Sequence, residues 1–385
     1  MIQTLAIFVD AYRALNARKL FWIALILSGV VVLAFAAVGI NEEGLSFFGW
    51  QTSLPPNTAI FPAELFYKTM FLTLGVNFWI AWIATILALV TTAGIIPDLV
   101  TEGSVDLTLS KPIGRVRLFL TKYISGLLFV ALQISVFSAA SFLVLGLRGG
   151  VWVPAVFIAI PMVILFFSYL FCVCALLGLL TKSTVASLLL TLLFWFAIFG
   201  VHTTESILLW TKVSQEQRII AIQDDIERRE QELERMRQGD GRGIGAGVMD
   251  AVRLPGRERA LERQRERLVE REETARTWRR VHMGAFAVKT VLPKTSETIG
   301  LIERWLIDLA ELPDMQEPPQ PILPEEITED AEDVEFMDPA LQENVTREIQ
   351  ERIRERSVAW IIGTSLVFQA GVLGIACLIF RRRDF

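Results

Sequence analysis

Residues Pro97 to Lys122 read PDLVTEGSVDLTLSKPIGRVRLFLTK, and a long apolar run lies on either side of them. Lys111, Arg115, Arg117 and Lys122 concentrate positive charge here, which marks the stretch as a short cytoplasmic turn between two membrane helices. Within it, Glu102-Gly103-Ser104 can start a short amphipathic helix whose apolar contacts come from Val105, Leu107 and Leu109. Pro112 breaks that helix, and Arg115, Arg117 and Lys122 lead into the next span. A compact helix held at the membrane surface by two spans has the shape needed to transmit movement from a cytoplasmic partner.

The chain has 385 residues, 53% of them hydrophobic, and its mean hydropathy is positive. The excess sits in a few long runs, as in an integral membrane protein. The formal net charge of -5 describes one polar domain, because most acidic and basic residues fall between Val201 and Ser357. Cys172, Cys174 and Cys377 lie inside apolar runs, so no disulfide framework is expected in the polar domain.

Taken in order, residues 1–19 place Ile2, Leu5, Val9 and Tyr12 at helical spacing opposite Asp10, Arg13 and Arg18, as in a helix lying in the cytoplasmic interface. Residues 20–201 hold five expected spans, at Phe21–Ile40, Phe71–Ile96, Leu120–Leu147, Val156–Leu180 and Val185–Val201. Ala34-Phe35-Ala36 imitates a signal-peptide processing site, but the run around it is long and no simple basic start precedes it. Asn41–Tyr67 is expected as a polar loop. Residues 358–385 supply a sixth span, Val358–Phe380, and a basic C-terminus.

Six spans put both termini on one side. Outside the polar domain every Lys and Arg except Lys68 and Arg148 falls on that side, which the positive-inside rule makes cytoplasmic. Residues 202–357 are therefore expected outside the cell's inner membrane, as one insertion between the fifth and sixth spans. There, Val213–Gln238 carries an apolar seam at Ile219, Ile222, Ile226, Leu233 and Met236, with Arg229 interrupting it. After GDGRGIGAG and Pro255, Arg257–Arg280 continues an apolar position every seven residues at Leu254, Leu261, Leu268 and Ala275. The two segments predict an antiparallel helical hairpin, either a solvated protrusion or a rod that contacts an extracytoplasmic protein. Residues 285–312 predict a helix on the outer membrane face, behind a Ser296 cap. An acidic Pro-rich linker, 313–338, follows. Asp338-Pro339 then starts a stalk helix whose stripe runs into the sixth span. The fold class expected is an all-α polytopic membrane protein with a helical extracytoplasmic insertion.

The stretch at Glu102 to Lys122 resembles the permease subunits of type-2, exporter-type ABC transporters, including the multi-copper enzyme maturation permeases. These carry a Glu-Gly-Thr, apolar run, Lys-Pro-Ile, basic pattern between their second and third spans. Ser104 stands where Thr is usual, and the 202–357 insertion is much longer than the family's. The resemblance implies that residues 98–118 form the coupling helix, with Glu102, Gly103, Ser104, Val105, Leu107, Leu109, Lys111, Pro112 and Arg115 meeting an ABC ATPase. It also implies a second permease protomer, a homodimer being expected, and a non-catalytic chain whose partner binds ATP and magnesium. Membrane lipids and an external protein are further expected partners, nucleic acid is not, and the output is export or mechanical work on that external protein. A membrane scaffold without ATPase coupling is the alternative.

The residues agree on where energy does not come from. The spans carry essentially no ionisable side chains, whereas ion-coupled transporters need them. Asn77, Gln133 and Gln369 are the most polar side chains there, and interhelical hydrogen bonding is their expected role. Thr181-Lys182-Ser183 imitates the end of a P-loop without the glycine that phosphate approach requires. Cys172 and Cys174, two apart, point to different helix faces, and His202, His282 and Met283 are too few for a metal site. No catalytic, cofactor-binding or metal-ligating residue is expected.

Overall fold

The computed structural model describes residues 13, 19–42, 44–47, 50–51, 58, 62–101, 114–150, 152–237, 244–310 and 339–382. Outside them lie the expected interfacial helix at 1–19 apart from Arg13 and Lys19, residues 102–113 of the expected coupling helix 98–118, residues 239–243 of the glycine-rich stretch 239–247, and the whole expected linker 313–338. The described chain is overwhelmingly helical. Among the described residues five helices are long and apolar enough to cross a membrane, and a shorter apolar helix precedes them, consistent with a membrane-embedded protein.

That first helix, α1 (Lys19–Ala37), stops before the expected end at Ile40. Val38–Asn41 leaves it as strand β1 and pairs antiparallel with β2 (Gly44–Phe47), which pairs with β3 (Trp50–Gln51). The start of the loop expected at Asn41–Tyr67 therefore carries a small three-stranded sheet, and its last residues belong to a helix that begins at Ala63. Tyr67 Oη donates to the Val38 carbonyl at 3.2 Å, and Arg148 Nε donates to the Ala36 carbonyl at 2.8 Å. Both bonds satisfy backbone acceptors where α1 gives way to strand.

The expected second span begins as α2 (Ala63–Met70), passes through a π-helical stretch, Phe71–Ala84, and continues as α3 (Thr85–Thr92). Thr85 Oγ1 bonds the Ile80 carbonyl five residues back, in keeping with the wider π winding. After a turn at Ala93-Gly94, α4 (Ile95–Thr101) carries Pro97 in its first turn, where the missing N–H costs nothing. Helix thus persists past the expected stop at Pro97. The expected third span is α5 (Arg115–Gly149), closed by Gly150 at φ 69°, a left-handed cap that suits glycine. A short 3-10 turn, Pro154–Ile158, leads into α6 (Ala159–Thr181), after which Lys182 takes φ 53°. Next comes α7 (Thr184–Arg237), so the expected fifth span and first hairpin arm belong to one helix.

Helix α8 (Ile244–Val291) starts before Pro255 and holds that proline inside it, where a break was expected. The helix expected on the outer membrane face is α9 (Thr295–Ala310), and α10 (Pro339–Arg354) opens at Pro339 as the sequence signals. A turn at residues 355–357 separates α10 from α11 (Val358–Arg382), so the expected unbroken stripe into the last span is interrupted.

The chain divides into two compact units. A membrane unit comprises residues 1–199, 291–320 and 358–385. Its core centres on α6, whose Phe166, Phe167, Tyr169 and Phe171 are fully buried. Rings interlock around it: Tyr123 stacks on Phe171 at 5.1 Å, Trp82 on Trp195 at 5.2 Å, and Phe194 on Phe368 at 6.1 Å. Leu301 and Ile302 of α9 are buried in this same core, so α9 packs among the spans rather than only on a surface. Its entry is tied down where the Lys294 N–H donates to Ser365 Oγ at 3.0 Å and the Lys294 ammonium sits 4.6 Å from the Trp360 ring centroid.

A hairpin unit comprises residues 200–290 and 321–357. Ile226 and Leu233 of α7 meet Leu261 of α8, with Leu254, Leu268 and Ile222 packed against them. Ion pairs run along the same seam, Arg237 to Glu258 at 2.6 Å and Arg265 to Glu230 at 2.5 Å. Residue numbers rise on one arm as they fall on the other, which is the antiparallel register the heptads predict. Val345 of α10 completes the unit against Leu209 and Val213.

Candidate functional site

Of the residues expected to meet an ATPase, only Arg115 is described. Glu102, Gly103, Ser104, Val105, Leu107, Leu109, Lys111 and Pro112 fall outside the described residues. Arg115 opens α5 after Gly114, whose backbone is extended. One turn later Phe119 packs against Phe380 near the end of α11, with ring centroids 5.6 Å apart. This contact gathers Arg115, Arg117, Arg381 and Arg382 at one end of the membrane unit.

Deeper in that unit, three of its helices share a closed polar ring. Tyr123 Oη donates to the Ser168 carbonyl at 2.9 Å, Ser168 Oγ donates to Gln369 Oε1 at 2.9 Å, and Gln369 Nε2 donates to Tyr123 Oη at 3.2 Å. Gln369 thus makes the interhelical bonds its sequence position suggests. Gln133 is buried with neither end of its amide hydrogen-bonded, and Asn77 is exposed on its helix. Cys172 and Cys174 are buried thiols, and Cys172 Sγ donates to the Tyr169 carbonyl at 3.1 Å. Among the described residues no group of three His, Cys, Asp or Glu side chains could hold a metal.

The most concentrated electrostatics lie in the hairpin unit and were not legible as a site in sequence. Glu205, 1% exposed, accepts from Lys289 Nζ at 2.6 Å and from Arg356 Nη2 at 2.7 Å. Lys289 is itself only 4% exposed. Burial alone would push the Glu205 carboxyl upward, but the Lys289 ammonium and the Arg356 guanidinium outweigh it and hold it below the usual carboxylate range. His282 Nε2 lies 3.4 Å from Glu205 Oε1. Burial, with Lys212 nearby, pushes this imidazole below its ordinary value of 6.5 despite the carboxylate. Three turns further along α7, Glu216 takes Arg352 at 2.9 Å and Arg279 at 3.1 Å. Its carboxyl is likewise lowered, burial being outweighed mainly by Arg352 and Lys212.

Chemically this arrangement is a lock. Each carboxylate joins α8 to a residue from 348 onward, so Glu205 and Glu216 hold three chain segments together. The sequence hint was an acid at position 205, four residues after the expected fifth span ends at Val201, since its partners are far off in the chain. No family model, curated protein or solved structure matches this chain.

Proposed function

We propose that this chain is the permease subunit of an ATP-driven exporter of the ABC type, working as a dimer with two separate ATPase subunits. The reading rests on the Glu-Gly-Ser, apolar, Lys-Pro-Ile, basic pattern at Glu102 to Lys122. The observation that supports it most is the Phe119–Phe380 contact. It brings the start of α5, directly after the patterned segment, to the same end of the bundle as the arginines of α11. Basic residues gathered at one end are what the positive-inside rule expects of a cytoplasmic face, and a coupling segment has to be on that face.

In this reading, closure of the ATPases pushes on Glu102 to Leu109 and tilts the spans. The described spans offer no charged pathway, which favours an amphipathic substrate. One observation favours a mechanical output as well: α7 runs without a break from the fifth span into the hairpin's first arm. Tilting such a span moves the residues beyond it, and the hairpin can carry that motion to an extracytoplasmic protein.

The test is to purify the full chain from its native membrane in mild detergent and identify what accompanies it. A stoichiometric P-loop ATPase is expected, and replacing Glu102 and Gly103 should release it and abolish stimulated ATP turnover. Recovery of external proteins without an ATPase, under conditions that preserve other ABC complexes, would overturn the reading and leave a membrane scaffold.

A further inference from the structure

Far along the hairpin the arrangement is the one water selects: Ile226, Leu233 and Leu261 pack inward, and the Arg265–Glu230 pair is exposed. At the base, where α7 enters the unit and α8 leaves it, the arrangement is reversed. Glu205 and Lys289 are 1% and 4% exposed, while Ile207, Trp210, Val281 and Val288 are 59%, 47%, 46% and 55% exposed. Helix α8 shows both sides of this reversal. Its His282 and Lys289 point to the Glu205 carboxylate, whereas Val281, Gly284, Val288 and Val291 follow three- and four-residue steps along another face. Charges within and large apolar groups without is the pattern of a protein whose solvent is lipid.

The chain itself sets the level. Val185–Val201, the expected fifth span, rises about 25 Å, short of a hydrocarbon core of roughly 30 Å. Helix α7 continues unbroken. Counted from Val185, Glu205 falls where the core meets a headgroup layer about 5–7 Å deep, with Trp210 at that layer's outer edge; tilt carries more of the helix in. The return path agrees. The Lys294 N–H donates to Ser365 Oγ at 3.0 Å, and Ser365 lies about 10 Å down α11 from its start at Val358. The three residues from Val291 to Lys294 reach at most about 11 Å, so Val291 cannot rise far above that start. The Lys294 ammonium sits 4.6 Å from the Trp360 ring centroid, nearer the end of α11. That is the direction in which a lysine stem leaves hydrocarbon, and tryptophan is the residue type that marks an interface. We propose that the base of the hairpin, around Ile207, Trp210, Val281 and Val288, is held in the lipid interface of the membrane, which closes the Glu205 cluster off from water. A second copy of the chain would also cover apolar side chains, but it does not account for the level at which this collar stands. The inference does not depend on ATPase coupling.

The test uses the full chain in phosphatidylcholine vesicles, with a bimane fluorophore on one introduced cysteine and wild type labelled alike as the background of native thiols. Collar sites are Ile207→Cys, Val281→Cys and Val288→Cys, and the controls are Ile220→Cys and Val269→Cys, similarly exposed at 48% and 58%. Phospholipids brominated near the headgroup end of their acyl chains should quench the collar labels by about twofold or more, and aqueous iodide should quench them far less than it quenches the controls. The controls should show the reverse. Three separate collar sites keep the outcome readable if one substitution disturbs folding. Iodide quenching of the collar equal to that of the controls would place the base in water and overturn the proposal. Protection from both quenchers would put a protein surface over the collar and overturn it too.

Discussion

Rings fill the membrane unit, whereas the hairpin unit buries one aliphatic side chain every two turns and then a handful of charges. In the first, Phe119, Phe137, Phe166, Phe167 and Phe171 are fully enclosed, yet lipid tails are as apolar as these side chains, so burial as such separates the packed state from the unpacked one only weakly. Shape must supply the difference. In the second, water surrounds the arms and burial does drive association, but the seam between them is a single file of Ile226, Leu233, Leu261 and Ala275. The thinner core leans on electrostatics at Glu205. Each region is therefore most vulnerable to a different kind of change: the hairpin unit to loss of a buried charge, the membrane unit to a misplaced methyl group.

The largest effect is expected where a buried charge is stranded. Glu205→Gln leaves the Lys289 ammonium and the Arg356 guanidinium without their carboxylate, and removing one partner of a buried pair costs about 3 kcal/mol or more. Hydrogen exchange of amides in 200–237 and 244–290 should then speed up by about a hundredfold, while amides of α6 keep their protection. Acid should imitate the mutation. His282 titrates lower in the folded chain than unfolded, so the hairpin unit loses stability as pH falls below about 6.5. Glu205 and Glu216 also titrate lower folded, so their contribution is complete above the ordinary glutamate range and is lost as pH falls through it. In Glu205→Gln the carboxylate limb should shrink to what Glu216 supplies. An unchanged acid profile would mean that the Glu205 cluster does not hold the unit together.

A smaller effect is expected where shape decides. A Cβ placed on Gly126 would come within 2.6 Å of the Phe171 ring and 3.1 Å of Ile95 Cδ1. That ring cannot easily give way, because Tyr123 stacks on it at 5.1 Å and Phe167 at 5.5 Å. Gly126→Ala should cost about 1–3 kcal/mol through overpacking, read as a lower unfolding temperature of the detergent-solubilised chain. Gly363→Ala, where added carbon meets nothing within 4 Å, is the control and should leave that temperature unchanged. Equal behaviour of the two would remove the claim that packing shape holds this region.

The same contrast explains what could be read in advance. Runs of apolar residues specify membrane helices by length, so the spans starting near Phe71, Leu120, Val156 and Val358 were legible. The heptad at Leu254, Leu261, Leu268 and Ala275 specified the hairpin. Pro255 was read as a boundary because it removes a hydrogen bond and crowds the carbonyl four residues back, a cost of about 3 kcal/mol. Helix α8 nevertheless runs through it, with Leu254 and Leu261 on either side packed against the other arm. Strand β1 was hidden because Val38-Gly39-Ile40 prolongs an apolar run, and four residues are too few to show a period of two. The Glu205 cluster was hidden by distance along the chain, since Lys289 and Arg356 are local to it only in the fold. Helix α9 gave a clear amphipathic stripe, but a stripe does not say whether it faces a membrane surface or the core that Leu301 and Ile302 enter.

The exposed pairs of the hairpin should matter least, and they sharpen the contrast with Glu205. Arg265 and Glu230 are 2.5 Å apart, closer than Glu205 is to either of its cations, yet their side chains are 60% and 43% exposed. Water screens them and the long side chains lose freedom in pairing, so such a bond contributes roughly 0.2–1 kcal/mol. Arg265→Gln should therefore change hairpin exchange rates by no more than about fivefold, and raising salt should erase even that difference. The Glu205→Gln defect should persist at the same salt, since its charges are out of reach of the ionic atmosphere. If Arg265→Gln instead opened the hairpin as widely as Glu205→Gln does, burial would not be what separates a structural charge from a solvated one in this unit, and the thin seam would owe its register to surface pairs.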